Sequence, residues 1–276
     1  MSQPLSQLAI DVGNSRIKFV SLLTEESAAA ARQLPLVVNA FSALIDGPLP
    51  WEQVTDWFGD QLDATCQTVV AGSNPQGIER VVKNWPQGIL PSPVKVLNTA
   101  DFPLQICVDE PRKVGIDRLL NAVAANRLRE TEQGAIIIDT GTATTVDVVN
   151  PDGSFAGGAI LPGFELSAKA LHDYTALLPL IPVADLRQVE PVVLGKNTTD
   201  AIRSGLFWGQ LGAVRELATQ QRNQFLLHAS QVPPLVLLTG GGSALLAPHF
   251  EGFVRFEPLL TLQGLALVAQ KISGDS

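Results

Sequence analysis

The chain has few of the residues from which disulfide frameworks and metal clusters are built. Its 276 residues include two cysteines, Cys66 and Cys107, and three histidines. The cysteines follow no motif spacing, and the histidines are scattered along the chain without cysteine neighbours. We therefore expect neither a disulfide framework nor a structural zinc site. This composition fits a protein of the reducing cytoplasm.

Positive charge and long apolar runs are also scarce. Lysine and arginine number 19 against 27 acidic residues, a formal net charge of −8, so we expect no nucleic-acid partner. No apolar run approaches the roughly 20 residues that span a bilayer, and the N-terminus lacks the basic and apolar segments of a signal peptide. We therefore expect no membrane partner. The length suits one large domain or two of moderate size.

The chain contains two copies of one pattern, a short apolar strand followed by Asp-x-Gly, small polar residues and a second β-branched strand. The copies span Leu8–Val20 and Ile136–Val148, and each predicts a hairpin with a glycine-containing turn. One copy alone is readily explained as an ordinary tight turn, because Asp and Gly dominate turns. Two copies with matching flanks favour two similar lobes that face one cleft.

The residues of these two turns suit phosphate binding. Glycine lets the backbone approach a phosphate closely, and the Asp at the end of each strand can hold a hydrated Mg²⁺ or another cation beside it. Hydroxyl and amide groups supply further hydrogen-bond donors. These groups belong to Asn14, Ser15, Thr142, Thr144 and Thr145. We name residues 11–18 the first turn and residues 139–145 the second turn.

A third glycine-rich turn, Gly240–Gly242, follows the apolar run Leu235–Leu238 and precedes an apolar helical stretch. Strand, glycine-rich turn and helix is an arrangement that contacts nucleotides. The sequence matches neither GxxxxGK[ST] nor GxGxxG. A purely structural turn and a ligand contact therefore both remain open for this segment.

Alternating strands and helices between and around these turns predict α/β layers. Residues 51–62, 77–84 and 115–129 are predicted helices, and residues 67–72 and 94–98 are predicted strands. Asp117 falls in the first turn of the helix at 115–129. There it is either an ordinary partner of the helix dipole or a carboxylate that is kept ionised and able to accept a proton.

A further helix is predicted over residues 198–219, with Asn197 or Thr198 as its N-cap. Glycines inside a helix cost roughly 1 kcal/mol each relative to alanine. A stripe of them predicts close approach of another backbone, either from the same chain or from a partner subunit. The stripe consists of Ala201, Gly205, Gly209 and Gly212.

Taken together, these motifs resemble those of type III pantothenate kinases, which belong to the acetate and sugar kinase, heat-shock chaperone and actin superfamily. The resemblance covers almost the whole chain in the expected order. It implies an α/β fold of two similar lobes, each of a duplicated actin-like (ribonuclease H-like) type, with a cleft between them. The expected lobes are residues 1–117 and 118–276. The motifs are Asp11–Lys18, Gly115–Arg118, Asp139–Thr145, Gly157–Gly163 and Gly195–Thr198.

The resemblance also implies an activity: phosphorylation of pantothenate by ATP to 4'-phosphopantothenate, the first step of coenzyme A biosynthesis. Asp117 would be the catalytic base, and Asp139 would bind a monovalent cation, K⁺ or NH₄⁺, while Mg²⁺ would accompany ATP. The family implies a cytoplasmic homodimer. Pantothenate would be bound by Gly115, Ile116, Arg118 and Thr198. ATP would be bound by Asp11, Val12, Gly13, Asn14, Ser15, Arg16, Ile17, Lys18 and Thr142.

One departure from the family pattern bears on the substrate. Members usually carry a tyrosine shortly before the Gly-x-Asp-Arg motif, where this chain has Val108. Valine cannot donate the hydrogen bond that a tyrosine could. This leaves open a phosphatase or a kinase for another small alcohol on the same fold, although the Gly-Ile-Asp-Arg motif argues against it. A second alternative is a non-catalytic regulator, because the family was also linked to accessory transcription factors. Retention of both Asp117 and Asp139 argues against the regulator.

Overall fold

A computed structural model describes residues 5–24, 32–58, 66–227, 232–250 and 254–274. The chain divides into two compact units. The first unit comprises Met1–Arg129 with Leu259–Ser276, and the second comprises Glu130–Pro258. Among the described residues, no helix is long and apolar enough to cross a membrane.

The first unit is built on a five-stranded sheet with the order β3-β2-β1-β4-β5. β1 pairs with β2 in antiparallel and with β4 in parallel orientation. Helices follow the strands, as the alternating pattern predicts. The elements are β1 Leu5–Val12, β2 Arg16–Thr24, β3 Leu36–Leu44, α1 Trp51–Asp56, β4 Gln67–Ala71, α2 Pro75–Lys83, β5 Val94–Lys95, α3 Ile116–Leu128 and α8 Leu260–Gly274.

The two faces of this sheet are buried by different elements. On one face, Leu8, Ile10 and Val12 join a core that includes Val54 of α1 and Ile78 of α2. Residues between these on β1 point to the other face, because side chains alternate along a strand. There the amide of Gln7 donates to the carbonyl of Ala266 in α8 (3.1 Å).

The second unit repeats the plan with a sheet of order β10-β9-β6-β7-β8. One face, carrying Ile136 and Ile138, packs on a core that includes Leu206 and Leu211 of α6. The hairpin β6–β7 is antiparallel and β9 runs parallel to β6. The elements are β6 Ala135–Thr140, β7 Ala143–Val149, β8 Phe155–Pro162, α4 Phe164–Asp173, α5 Val183–Leu186, α6 Thr198–Leu227, β9 Leu235–Thr239, α7 Ser243–Leu246 and β10 Arg255–Phe256.

Both predicted hairpins and both long predicted helices are present, with shifted ends. α6 continues to Leu227, eight residues beyond the predicted end at 219 (227 − 219). The helix predicted over 51–62 ends at Asp56, and residues 59–62 lie outside the described part of the chain.

The compact units differ from the expected lobes 1–117 and 118–276. The whole of α3 and the C-terminal α8 belong to the first unit, because these two helices pack closely on each other. A Cβ on Gly264 of α8 would lie 2.1 Å from the Leu120 carbonyl oxygen of α3. Thr261 of α8 also donates a buried hydrogen bond to Asn121 of α3 (2.8 Å).

Candidate functional site

The first turn is held in shape by backbone hydrogen bonds. The Gly13 N–H donates to the Arg16 carbonyl (2.9 Å), and the Ser15 carbonyl accepts from the N–H of Ile45 (3.0 Å). The loop that follows β4 also supports it, since the Asn74 N–H donates to the Val12 carbonyl (3.2 Å). The turn is therefore preformed within the first unit.

Asp11 is buried at the base of this turn, with 8% of its surface exposed. Its cross-strand partner is Lys18, whose Nζ lies 3.8 Å from the carboxylate. Burial raises the pKa of the Asp11 carboxyl above its usual value, the Lys18 ammonium opposes that rise, and the negative charge of Asp117 adds to it. The Asp117 carboxylate is therefore near enough to Asp11 to interact with it within the first unit.

Asp117 lies in the first turn of α3 and is half-buried. Its Oδ1 accepts a hydrogen bond from the backbone N–H of Arg118 (3.0 Å). A Cβ at Gly115 would lie 2.5 Å from this oxygen. The glycine that precedes the helix thus leaves room for the carboxylate.

Two features of the first turn are not evident from the sequence motif. The Arg16 guanidinium is anchored on β3, where it donates to the Ser42 hydroxyl (2.8 Å) and to the Ser42 carbonyl (3.2 Å). Gly72 adopts φ +148, and a Cβ there would lie 2.2 Å from the Val12 carbonyl oxygen. In the sequence, the close approach of Gly72 to Val12 is signalled only by the run Ala71–Pro75, which follows a predicted strand.

The second turn is closed by a different neighbour. Gly141 N–H donates to the Ala143 carbonyl (3.0 Å), and Gly163 N–H donates to the Thr142 carbonyl (3.0 Å). A Cβ on Gly163 would lie 2.3 Å from the Gly141 carbonyl oxygen. The junction between β8 and α4 therefore packs directly against this turn, while the Thr142 residue stays exposed.

Asp139 lies between two threonines on neighbouring strands. Its register partners are Thr145 on β7 and Thr239 on β9. The third glycine-rich turn begins immediately after Thr239: Gly240 has φ +92, and a Cβ there would lie 2.4 Å from Asp139 Oδ1. The role of this turn, left open by the sequence, includes enclosing the Asp139 carboxylate.

The hydroxyl groups of the second turn differ in their environments. Thr144 is buried and accepts a hydrogen bond from the Gln210 amide of α6 (2.6 Å). Thr145 donates to the fully buried carboxylate of Asp147 (2.8 Å). These two hydroxyls therefore have structural partners. Thr142 is exposed.

Thr198 lies at the start of α6. Asn197 caps this helix, because its Oδ1 accepts from the N–H of Asp200 (2.9 Å). Thr198 is exposed and borders an open depression of about 550 Å³ whose lining includes Leu171 and Gly205 but neither Asp139 nor Thr142. Within the first unit the charge of Asp117 acts on Asp11. Within the second unit Asp139 and Thr142 belong to one turn, and Thr198 begins α6.

Solved structures resemble the fold of the whole chain at low sequence identity. A candidate Baf-family transcriptional activator from Campylobacter jejuni is 18% identical, with a TM-score of 0.56 over 97% of this chain and 99% of that one. A candidate 2-dehydro-3-deoxygalactonokinase from Sinorhizobium meliloti is 12% identical, with a TM-score of 0.52 over 96% and 99%. Together with the two α/β units, these matches confirm the predicted actin-like fold class.

Sequence comparison identifies the family. The family model described as type III pantothenate kinase matches residues 7–220. A type III pantothenate kinase of Syntrophotalea carbinolica is 34% identical over 78% of this chain and 79% of its own length. One of Paramagnetospirillum magneticum is 41% identical over 63% of this chain, and the match spans 62% of that relative. The chain belongs to the type III pantothenate kinase family.

Proposed function

We propose that this chain transfers the γ-phosphoryl group of ATP to pantothenate, giving 4'-phosphopantothenate in the first step of coenzyme A biosynthesis. One structural observation carries the proposal: the first unit holds a preformed glycine-containing turn and, at the start of α3, the half-buried carboxylate of Asp117, whose charge acts on Asp11 of that turn. A carboxylate beside a phosphate-binding turn suits transfer to an alcohol, since such transfer depends on positioning and on charge stabilisation. An assay that couples ADP release to addition of pantothenate tests it directly.

Asp117 is the base in this proposal. Phosphoryl transfer passes through a loose transition state, so little proton removal is needed early. The carboxylate therefore orients the primary hydroxyl of pantothenate and takes its proton late. Asp117 lies in the first turn of α3, where the partial positive charge of the helix N-terminus attracts anionic groups. Gly115, Ile116 and Arg118 line the same end of the helix and would contact pantothenate.

Substitution of the Asp117 carboxylate tests whether it is the base. Asp117→Asn is expected to lower kcat by about 10²–10⁴, the usual worth of a general base, with little change in the KM for ATP. Asp109→Asn is the matched control, since Asp109 is exposed in the loop before Pro111 and should keep near wild-type kcat. If Asp117→Asn retains more than about a third of kcat, far outside that range, another group is the base.

The first turn would hold phosphate groups of ATP, because the N–H groups of Asp11 to Lys18 and the Lys18 ammonium supply donors and positive charge. Thr142, which is exposed, is a further proposed ATP contact. The Mg²⁺ that accompanies ATP would neutralise charge on its phosphates. Arg16, fixed on Ser42, presents its charge in one orientation, which costs less entropy on binding than a mobile side chain would.

The surroundings of Asp139 fit a monovalent cation, K⁺ or NH₄⁺. The carboxylate has hydroxyl residues on both neighbouring strands, and the Gly240 backbone approaches so closely that a Cβ would collide with Asp139 Oδ1. Oxygen ligands of this kind replace the hydration shell of K⁺. Activity should therefore depend on K⁺, and Asp139→Asn should weaken that dependence. Equal kcat in potassium-free and potassium-containing buffers would contradict the assignment.

We also propose that the protein is a homodimer. Nothing described lies within 4 Å of a Cβ built on Gly205, Gly209 or Gly212, so the helix partner predicted for this stripe is not among the described residues of the chain. Leu194, which lies close to Thr198 in the sequence, is 77% exposed. A second copy packed on the stripe would cover this surface and border the depression at Thr198. Light scattering at micromolar concentration should report a dimer.

A kinase for another small alcohol remains the second candidate, and Val108 is the observation that favours it. The residue is half-buried and offers no hydrogen bond to a substrate. A panel of small alcohols in the same coupled assay separates the two. Pantothenate should give the highest kcat/KM, and a higher value for another alcohol would favour the second candidate.

A further inference from the structure

Thr239 carries a buried hydroxyl that the fold leaves without a hydrogen-bond partner. The residue is 1% exposed, and its Oγ1 has no partner among the described residues. Burying a hydroxyl in this way costs stability, because its hydrogen bonds to water are lost and not replaced. Such groups are uncommon and call for an explanation, such as an ion or a functional role.

The position of this hydroxyl is set by the sheet. Thr239 pairs with Asp139 across the parallel strands β9 and β6, and Asp139 pairs with Thr145 across β6 and β7. Paired residues carry their side chains on the same face of a sheet. The adjacent residues Ile138 and Leu238 face the apolar core on the opposite side. Thr239, Asp139 and Thr145 therefore form one row on the other face, where β6 and β9 end.

The chemistry of this row is that of a cation site. It offers a carboxylate and two hydroxyl oxygens, and Thr145 directs its hydrogen to Asp147 (2.8 Å), which leaves its oxygen lone pairs as acceptors. A hydroxyl oxygen can coordinate a cation while its hydrogen turns to a carboxylate. Gly240 has φ +92, and its backbone lies so close to Asp139 that a side chain at this position would collide with the carboxylate.

We infer that Thr239 Oγ1 is a ligand of the monovalent cation at Asp139. The inference rests on the proposed cation and extends the site to a residue outside both phosphate turns. It makes Thr239 a determinant of cation affinity, and it gives the unpartnered buried hydroxyl a function.

Melting temperature provides a readout that does not depend on catalysis. In KCl, compared with choline chloride at equal concentration, wild type should melt on the order of 5 °C higher once the salt reaches about 100 times its Kd. Thr239→Val should lose this potassium-specific rise. In choline chloride the same variant should melt at or above wild type, because a methyl group replaces an unpartnered hydroxyl.

Two further variants serve as controls. Thr239→Ser keeps the hydroxyl and should keep the rise. Thr68→Val removes a buried hydroxyl that does have a partner, the Pro91 carbonyl (2.8 Å). It should lower the melting temperature in both salts and leave the potassium-specific rise intact.

The outcomes separate this inference from the activity. If Thr239→Val keeps the full rise in KCl, its hydroxyl is not a ligand, whatever the variant's kcat. If wild type shows no rise, the cation assignment at Asp139 fails with it. Pantothenate phosphorylation is measured independently in the coupled assay, so either result leaves the test of the activity unaffected.

Discussion

Gly240→Ala tests whether the third glycine-rich turn encloses the Asp139 carboxylate. Two costs add at this position. A side chain at φ +92 is strained by about 1–3 kcal/mol. The new Cβ would also lie 2.6 and 2.7 Å from the Thr140 backbone N and C atoms, which cannot rotate away, and such overpacking costs about 1–3 kcal/mol more. We expect a loss of about 2–6 kcal/mol in the free energy of unfolding.

The adjacent Gly241 is the matched control. A Cβ built there meets nothing within 4 Å, and its φ is not positive, so Gly241→Ala should change stability by no more than about 0.5 kcal/mol. Urea denaturation of both variants and wild type measures the difference. Equal midpoints for the two alanine variants would refute the close approach of Gly240 to Asp139 and Thr140.

Three further predictions follow from individual residues. Folding raises the pKa of Asp11, so its ionised carboxylate destabilises the folded protein at any pH above its pKa in the unfolded chain, near 4. Asp11→Asn should therefore raise the melting temperature at neutral pH, and this gain should vanish below about pH 4. The same substitution should lower kcat. Val108→Tyr should lower the KM for pantothenate up to about fivefold, the worth of one hydrogen bond, whereas Val108→Phe should not. Gly209→Glu should shift sedimentation to the monomer, and Asn223→Glu, on the exposed far end of α6, should leave the dimer intact.

The sequence predicts the hairpins well because their signals are local. A strand, a glycine-containing turn and a second strand occupy about a dozen consecutive residues, and the register then follows from the alternation of apolar side chains. Asp11 pairs with Lys18 as the short turn requires. The family assignment, confirmed by the match over residues 7–220, depends on these same local motifs.

The parts that the sequence did not predict depend on contacts between distant segments. The pairing of Thr239 with Asp139 arises only when β9 joins β6, about 100 positions further along the chain (239 − 139). The division into units depends in the same way on the packing of Gly264 against Leu120. No periodicity within a single segment reports such contacts.

The two related turns differ at one pair of register positions. Asp11 faces Lys18 across its hairpin, so the first turn carries its own cation, 3.8 Å from the carboxylate. Asp139 faces Thr145 at the corresponding place, so the second hairpin supplies hydroxyl oxygen there instead of an ammonium group. A hydroxyl can coordinate a cation, whereas an ammonium would repel one. This difference favours the second turn over the first as the place of the monovalent cation.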